Sequence, residues 1–511
     1  MMATRIYILY TGGTIGMAPD NPHDPYSSLA PKPFSDLLRH IPGIAATEPQ
    51  KPDFLKLDGG NMIQLDFDSI EPVDSSDISP AYWTQIAQKI QAAYTDYDGF
   101  VVLHGTDTMA YTSSALSFIF ENLEKPVVFT GSQQPISAPN TDAIANLTHA
   151  IKVAGYQVTD LPLIPEVVIV FADKILRGCR ATKISTSDQA GFDSPNFPPL
   201  GTIGAQIKIN TNDLLPRPEG KQLCIKADLA SQVCSVSLFP GITTHPIRQL
   251  FLDQSVEGIV LHTYGSGNAP GDIDLLHVIA QSVQGDALIN MAGDIQPEAI
   301  SGGRLIVNIS QCLQGTVEMG LYAASCGILE CGVLSGLDMT PEAALTKLMW
   351  TLGTQVGTDR ATQMQISQRG EQTENLFDLR YGAVAADNPV SVFTASAAPD
   401  ERLDRDRISR AMLCLFGLGV TGVEDGERVD VRVFMNMPRA DHRTTADEAR
   451  CVASISFVHE ADKPTQTRMQ NITYKTQNVI GSGDVILTLI TNSPRMKLFF
   501  KGLYLAVYAK S

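Results

Sequence analysis

Up to about residue 200, short and continuously apolar runs alternate with stretches of helical spacing. Ile6–Tyr10, Phe100–Leu103, Val127–Phe129 and Val167–Phe171 are runs of the first kind. Ala81–Tyr94 and Ser113–Leu123 carry apolar residues at the helical period. A strand that is apolar on both faces belongs inside a sheet covered on both sides, so the pattern predicts an α/β domain with a mainly parallel sheet. Leu214-Leu215-Pro216-Arg217-Pro218-Glu219-Gly220 opposes regular structure and reads as a connector. A second α/β unit follows, with strands near Val233–Phe239, Gly258–Leu261 and Leu305–Asn308. A helix is expected from Pro341 to about Leu352, with Pro341 in its first turn and Thr340 as the cap.

The pattern changes again near Ala395–Asp406, where Ala-Ser-Ala-Ala-Pro gives way to a charge-rich run. Beyond it, short alternating strands are expected at Val429–Phe434, Val452–Phe457, Val485–Leu489 and Leu498–Tyr508, with little helical periodicity. The expected organisation is an α/β domain over 1–205, a linker at 206–220, a second α/β domain over 221–378, a linker at 379–407 and a sandwich-like all-β domain over 408–511.

Charge and composition narrow the function classes. The formal net charge of -17 over 511 residues repels phosphate, which disfavours nucleic acid and anionic membrane as partners. No stretch approaches the ~20 apolar residues needed to span a bilayer. Ile6–Tyr10 is too short for a signal core and lacks a small-residue cleavage site, so a cytoplasmic location is expected. The eight cysteines are scattered without a CxxC, and the closest pair, Cys326 and Cys331, has no histidine nearby to complete a zinc site.

Candidate chemistry lies where the apolar runs end. Thr11-Gly12-Gly13-Thr14-Ile15-Gly16 follows the first, and its glycines allow a tight turn with open backbone N–H groups. The spacing does not match a G-x-G-x-x-G phosphate turn. A plain structural turn and a hydroxyl at the strand's carboxyl end, where α/β sheets place ligand sites, remain as readings. His104-Gly105-Thr106-Asp107-Thr108-Met109 follows the second run and offers either a helix cap or another hydroxyl beside a carboxylate. Asp74-Ser75-Ser76-Asp77 is a turn-forming loop whose hydroxyls and N–H groups suit a carboxylate and whose aspartates suit an ammonium group. Lys183, in Arg180-Ala181-Thr182-Lys183, is either a surface charge or, in a closed cleft, a base. Asp107 nearby favours the charged amine, so burial has to outweigh it for a neutral base.

Together, Ile8–Gly16 and Gly99–Met109 resemble the two signature segments of the asparaginase/glutaminase family. The resemblance runs to about residue 375 and includes Gly131-Ser132-Gln133, Ser194-Pro195-Asn196, Tyr264–Pro270 and Asp338-Met339-Thr340. The Asp74–Asp77 serine pair is similar to the cytosolic, type I bacterial branch. The resemblance implies Thr14 as nucleophile on a side-chain amide, a relay of Thr106, Lys183 and Asp107, and Tyr26 as a lid residue on the Asn21–Ala30 stretch. It implies Ser75 for the substrate α-carboxylate, and Asp107 with Ser76 for the α-amine. L-asparagine is the implied substrate, with no metal or organic cofactor and a homodimer or dimer of dimers as the assembly. A second, allosteric asparagine pocket is implied at Thr182, His262, Asn268, Ser310 and Cys312. His262 stands where the family carries an arginine, and a histidine lacks the bidentate fork that clamps a carboxylate. Extra chain also stands around Met291–Gly303.

An asparaginase, a glutamine-preferring amidohydrolase and a catalytically silent amino-acid sensor on the same fold are the competing functions. The intact set Thr14, Thr106, Asp107 and Lys183 favours an enzyme, because a sensor has little need of all four. A transamidation subunit releasing ammonia from glutamine is disfavoured by the lack of a basic surface. The β-tail reads as a packing or oligomerisation module, since fold alone names no function.

Overall fold

A computed structural model describes residues 4–19, 28–32, 53–56, 61–284, 303–320, 322–355, 360–373, 375–381, 390–395, 408–460, 465–479, 485–500 and 502–509. Tyr26 and residues 291–302 lie outside the described residues.

The first apolar runs form one nine-stranded sheet. In chain order its strands are β1 (Thr4–Gly12), β2 (Asp53–Lys56), β3 (Met62–Val73), β4 (Gly99–Leu103), β5 (Val127–Thr130), β6 (Val167–Phe171), β7 (Lys174–Arg177), β8 (Gly201–Ile203) and β9 (Ile207–Ile209). Across the sheet the order is β9-β8-β7-β6-β5-β4-β1-β3-β2. The five strands from β6 to β3 run parallel, and antiparallel strands close both edges. Alternate residues of β1 serve different cores. Ile6, Ile8 and Tyr10 pack with Leu147 and Ile151 of helix α3 (Ala143–Ala154). Tyr7 and Leu9 pack with Trp83, Ile86 and Ile90 of α1 (Pro80–Ala93) and Leu116 of α2 (Met109–Ile119). This double covering is why the strand reads as apolar throughout.

The second unit repeats the form at smaller scale. Val233–Ser237, Gly258–Thr263, Leu305–Ser310 and Leu334–Ser335 make a parallel four-stranded sheet in that order. Helices α4 (Thr244–Phe251), α5 (Ile273–Gln284), α6 (Ala323–Glu330) and α7 (Pro341–Thr354) accompany it. Thr340 caps α7 by accepting the Ala343 N–H at 3.2 Å, with Pro341 in the first turn. Helix α7 joins the two units. It packs on α2, with the Phe118 and Trp350 rings 6.0 Å apart, and Leu348 meets Val260 and Val307 of the second sheet.

The C-terminal region forms two antiparallel sheets. Gly502–Ala509 pairs with Asn375–Tyr381 on one side and Ile408–Thr421 on the other, and Thr465–Asn471 adds the far edge. Val390–Ala395, Val485–Thr491, Arg428–Met435 and Cys451–Val458 form the other sheet in that order. Alternate residues of several strands, among them Leu413, Leu415, Val429, Val431, Val433, Leu487, Leu489, Leu503 and Leu505, enter one shared core, as a sandwich requires.

Several boundaries differ from expectation. The presumed linker 379–407 contributes strands on both sides of residues 382–389, because backbone partners from 485–491 and 502–509 arrive from far along the chain. Ile207–Ile209, inside the first linker, pairs with Gly201–Ile203 as the edge of the large sheet. The single expected strand 498–508 is interrupted, with Lys497–Phe499 and Gly502–Ala509 pairing separately with Ile408–Thr421. A short helix, Thr473–Val479, interrupts the β-tail. The expected helix 113–123 stops at Ile119, because Phe120–Glu121 turns extended to pair with Cys224–Ile225.

Lys347 of α7 and Glu371 form an ion pair at 2.5 Å with both side chains fully buried. Lys347 also donates to the Met364 and Ile366 carbonyls, and Glu371 accepts the Gln368 and Arg369 N–H groups. Lys347→Met strands a buried carboxylate, which costs about 3–5 kcal/mol. A lowered urea midpoint is expected, and Lys347→Met/Glu371→Gln recovers part of it because no charge then remains buried.

Candidate active site

Parallel pairing in the order β3-β1-β4 brings three carboxyl ends side by side. The register sets Tyr10 opposite Leu103 and Gly12 opposite Val73. The loops leaving β1, β3 and β4 carry Thr14, Ser75 and Thr106-Asp107, so all three arrive at one edge.

Glycines let these loops touch. Gly12 and Gly13 have φ of +113° and +89°, in the range that favours glycine. A side-chain carbon at Gly12 would fall 2.2 Å from the Val73 carbonyl oxygen, and one at Gly13 would fall 2.4 Å from Gly105 Cα. One at Gly105 would meet Ser75 Oγ at 2.5 Å. The Thr14 corner therefore lies directly against the Thr106 corner, which lies directly against Ser75. Thr14 opens a short 3-10 turn, Thr14–Gly16, and is half-buried. Tyr82 fixes the neighbouring backbone by donating to the carbonyls of Thr11 and Glu71 at 3.1 and 2.8 Å.

Lys183 arrives from further along the chain, after β7 and a 3-10 turn, Gly178–Arg180. Its Nζ donates to Thr106 Oγ1 at 2.8 Å and to Asp107 Oδ1 at 2.6 Å. The amine is mostly enclosed and the carboxylate largely open, with side-chain exposures of 16% and 67%. Thr106 itself is buried. Hydroxyl, amine and carboxylate thus form a contiguous row beside the Thr14 corner.

Ser75 is buried, and its carbonyl accepts the Thr108 hydroxyl at 2.7 Å, tying the serine loop to the Thr106 loop. Ser76 is exposed, with both its N–H and its hydroxyl donated to Asp74 Oδ1 at 2.9 and 2.7 Å. Those bonds hold the Asp74 carboxyl below the usual carboxylate range. Asp74 serves here as the cap of the Ser75–Asp77 turn.

Of the residues assigned to a second pocket, Ser310 Oγ donates to the Gly265 carbonyl at 2.6 Å and accepts the Cys312 N–H at 3.0 Å. Asn268 bridges back to Tyr264, and its Oδ1 is buried without a hydrogen-bond partner among the described residues. His262 Nε2 lies 2.7 Å from Ser235 Oγ, and burial pushes its pKa down. The Thr182 hydroxyl donates to Glu342 Oε1 at 2.7 Å.

Sequence reasoning passed over three supports of the site. His104, directly before the Gly105 corner, is fully buried with Nδ1 2.7 Å from the Gly105 carbonyl oxygen, a contact an Nδ1–H tautomer donates. Asp142 accepts the Gln133 and Gln134 N–H groups at 3.0–3.1 Å, ordering the loop after β5. Glu342 reads in sequence as an ordinary first-turn acid of a helix, and only tertiary packing brings it to Thr182. Arg180 donates to Asp338 Oδ2 at 2.8 Å, which adds a second tie between the lysine segment and the second unit.

Residues 5–215 match the family model described as Asparaginase, N-terminal, and residues 232–364 match that of the Glutaminase/Asparaginase C-terminal domain. Both matches end before the β-sandwich begins. L-asparaginase 1 of Escherichia coli (strain K12) is 38% identical over 376 residues, covering 73% of this chain and 99% of that protein. The 60 kDa lysophospholipase of Mus musculus is 38% identical over 378 residues, covering 72% of this chain and 62% of that protein. The crystal structure of L-asparaginase I from Vibrio cholerae aligns with a TM-score of 0.58 at 37% identity, covering 73% of this chain and 99% of that one.

Burial pulls His104 down to about 4, with the Gly105 carbonyl opposing the shift. The unfolded imidazole titrates near 6.5, so between those values the unfolded chain binds the extra proton. Stability should therefore fall on acidification through that window, by up to about 1.36 kcal/mol per pH unit from this group. Chemical denaturation from pH 7 to 4 reads this slope, and His104→Asn is expected to lack that portion of it.

Proposed function

This chain belongs to the asparaginase/glutaminase family, and on that premise we propose that it hydrolyses L-asparagine to L-aspartate and ammonia with Thr14 as nucleophile. The observation that carries the reading is the Lys183 amine, 2.8 Å from Thr106 Oγ1 and braced by Asp107, beside the corner that presents Thr14.

An amide is a poor electrophile, so the site has to activate a hydroxyl, receive an oxyanion and protonate the departing ammonia. Thr14 Oγ1 attacks the side-chain amide carbon. Backbone N–H groups of the two glycine corners supply oxyanion donors without reorganisation. Thr106 takes the proton that Thr14 gives up on attack while Lys183 draws the Thr106 proton and passes it to the departing nitrogen, and Asp107 holds the amine in place. Water then cleaves the acyl-threonine, giving aspartate and restoring the hydroxyl. Ser75 receives the substrate α-carboxylate, supported by its burial against Gly105. Asp107, the more open carboxylate, meets the α-amine, with Ser76 at the rim. The resemblance gives Tyr26 the part of a lid residue. No step calls for a metal or organic cofactor.

Among the described residues, no helix is long and apolar enough to cross a membrane. A cytoplasmic enzyme working as a homodimer or dimer of dimers fits the type I resemblance, with the β-sandwich as a packing or assembly module. His262, engaged with Ser235, gives a second asparagine a weaker carboxylate anchor than an arginine does.

Ammonia release from asparagine and from glutamine tests the reading. Lys183→Met should lower kcat by about 10²–10⁴-fold, the usual worth of a positioned base, and Thr14→Val by more, on the order of 10⁶-fold, because the nucleophile itself is gone. Tight asparagine binding with no turnover by the parent chain would instead make it a sensor.

A further inference from the structure

The lysine segment makes a contact with the second α/β unit that the proposed chemistry does not use. Thr182 and Lys183 form a two-residue strand paired with Phe192–Asp193. Successive side chains of a strand point to opposite faces. Lys183 accordingly turns toward Thr106 while Thr182 turns toward α7, where its hydroxyl donates to Glu342 Oε1 at 2.7 Å. Both Thr182 and Glu342 are buried.

Glu342 is an unusual choice for that place. Burial pushes its pKa above the usual carboxylate range, against the pull of the Thr182 hydroxyl, its own backbone N–H and Thr340. Its second oxygen, Oε2, is buried with no hydrogen-bond partner among the described residues. A buried polar atom left unsatisfied is destabilising and offsets what an acid gains in the first turn of α7. What the acid does provide is an acceptor on a rigid mount. It sits in the first turn of α7, behind the Thr340 cap and Pro341, on the helix that packs against α2.

We propose that Glu342 is a positioning residue: by accepting from Thr182 it fixes the backbone of the adjacent Lys183, so that the amine stays on Thr106. Hydrolysis in the first α/β domain then depends on a carboxylate from the second. Displacing a reacting group by about 1 Å can cost on the order of 10²-fold in rate, so one hydrogen bond to the neighbouring residue suffices for a large effect.

The inference rests on the proposed function, and its test has one arm that does not. In the full-length chain, Glu342→Ala should lower kcat for asparagine by roughly ten- to a hundredfold while KM stays within about threefold, because no substrate contact is removed. Glu342→Gln, whose amide oxygen can accept the same bond, should recover most of that loss. Thr182→Val should match Glu342→Ala, and the double variant should lose no more than either single, as expected for two ends of one interaction. Hydrogen–deuterium exchange provides the activity-independent arm: a peptide covering 181–185 should exchange faster in Glu342→Ala and Thr182→Val than in the parent or Glu342→Gln. Parent-like kcat in Glu342→Ala, multiplicative losses in the double variant, or unchanged exchange across 181–185 would each overturn the proposal. If Glu342→Ala does not fold, Thr182→Val and Glu342→Gln carry both readouts. A parent chain that releases no ammonia defeats the asparaginase reading alone, and the exchange comparison still decides this one.

Discussion

Contact between two glycine corners governs the geometry of the site. Gly13 and Gly105 end adjacent parallel strands, and their backbones come so close that neither position has room for a side-chain carbon. Hydroxyls one residue beyond each glycine are thereby brought to a common edge. Side-chain flexibility has little to do with it, because the spacing is fixed by the sheet register behind both corners. A site built on strand ends inherits the rigidity of the sheet, which is what preorganised amide hydrolysis needs.

The amine reaches that edge by a different route. Lys183 follows no parallel strand of the sheet, and its segment, paired with Phe192–Asp193 inside the first unit, is also tied to the second through Arg180 on Asp338 and Thr182 on Glu342. The carbonyl of Asp338 also accepts from Asn196, and its carboxylate accepts from Thr373. A polar layer between the units thus orders the loop on which the proposed chemistry depends. Buried polar contacts of this kind add little net stability, and breaking one by removing a single partner is what costs most.

The β-sandwich follows a different logic. Alternate described side chains of several of its strands enter one core, and its sheets draw the strands Asn375–Tyr381 and Val390–Ala395 as well as those of the tail. Its antiparallel partners come from distant parts of the chain, so the expected linker 379–407 looked like connection where it contributes strands. Local pattern identifies a strand far better than it identifies a strand's partner.

Sequence alone determined the elements whose signal is local. Continuous apolar runs announced the parallel strands, Thr340-Pro341 announced a helix start, and the paired glycine-threonine corners announced the hydroxyls. The same locality explains what it missed. Nothing around Glu342 distinguishes it from any acid in a helix's first turn, and nothing around His104 says that its ring will lie buried against the Gly105 carbonyl. The contacts of Lys183 with Thr106 and of Thr182 with Glu342 span 77 and 160 residues of chain. Tertiary packing decided them, within the first unit for Lys183 on Thr106 and between the two α/β units for Thr182 on Glu342, because a hydrogen bond between distant segments depends on how whole sheets and helices dock, and no short window of sequence records that.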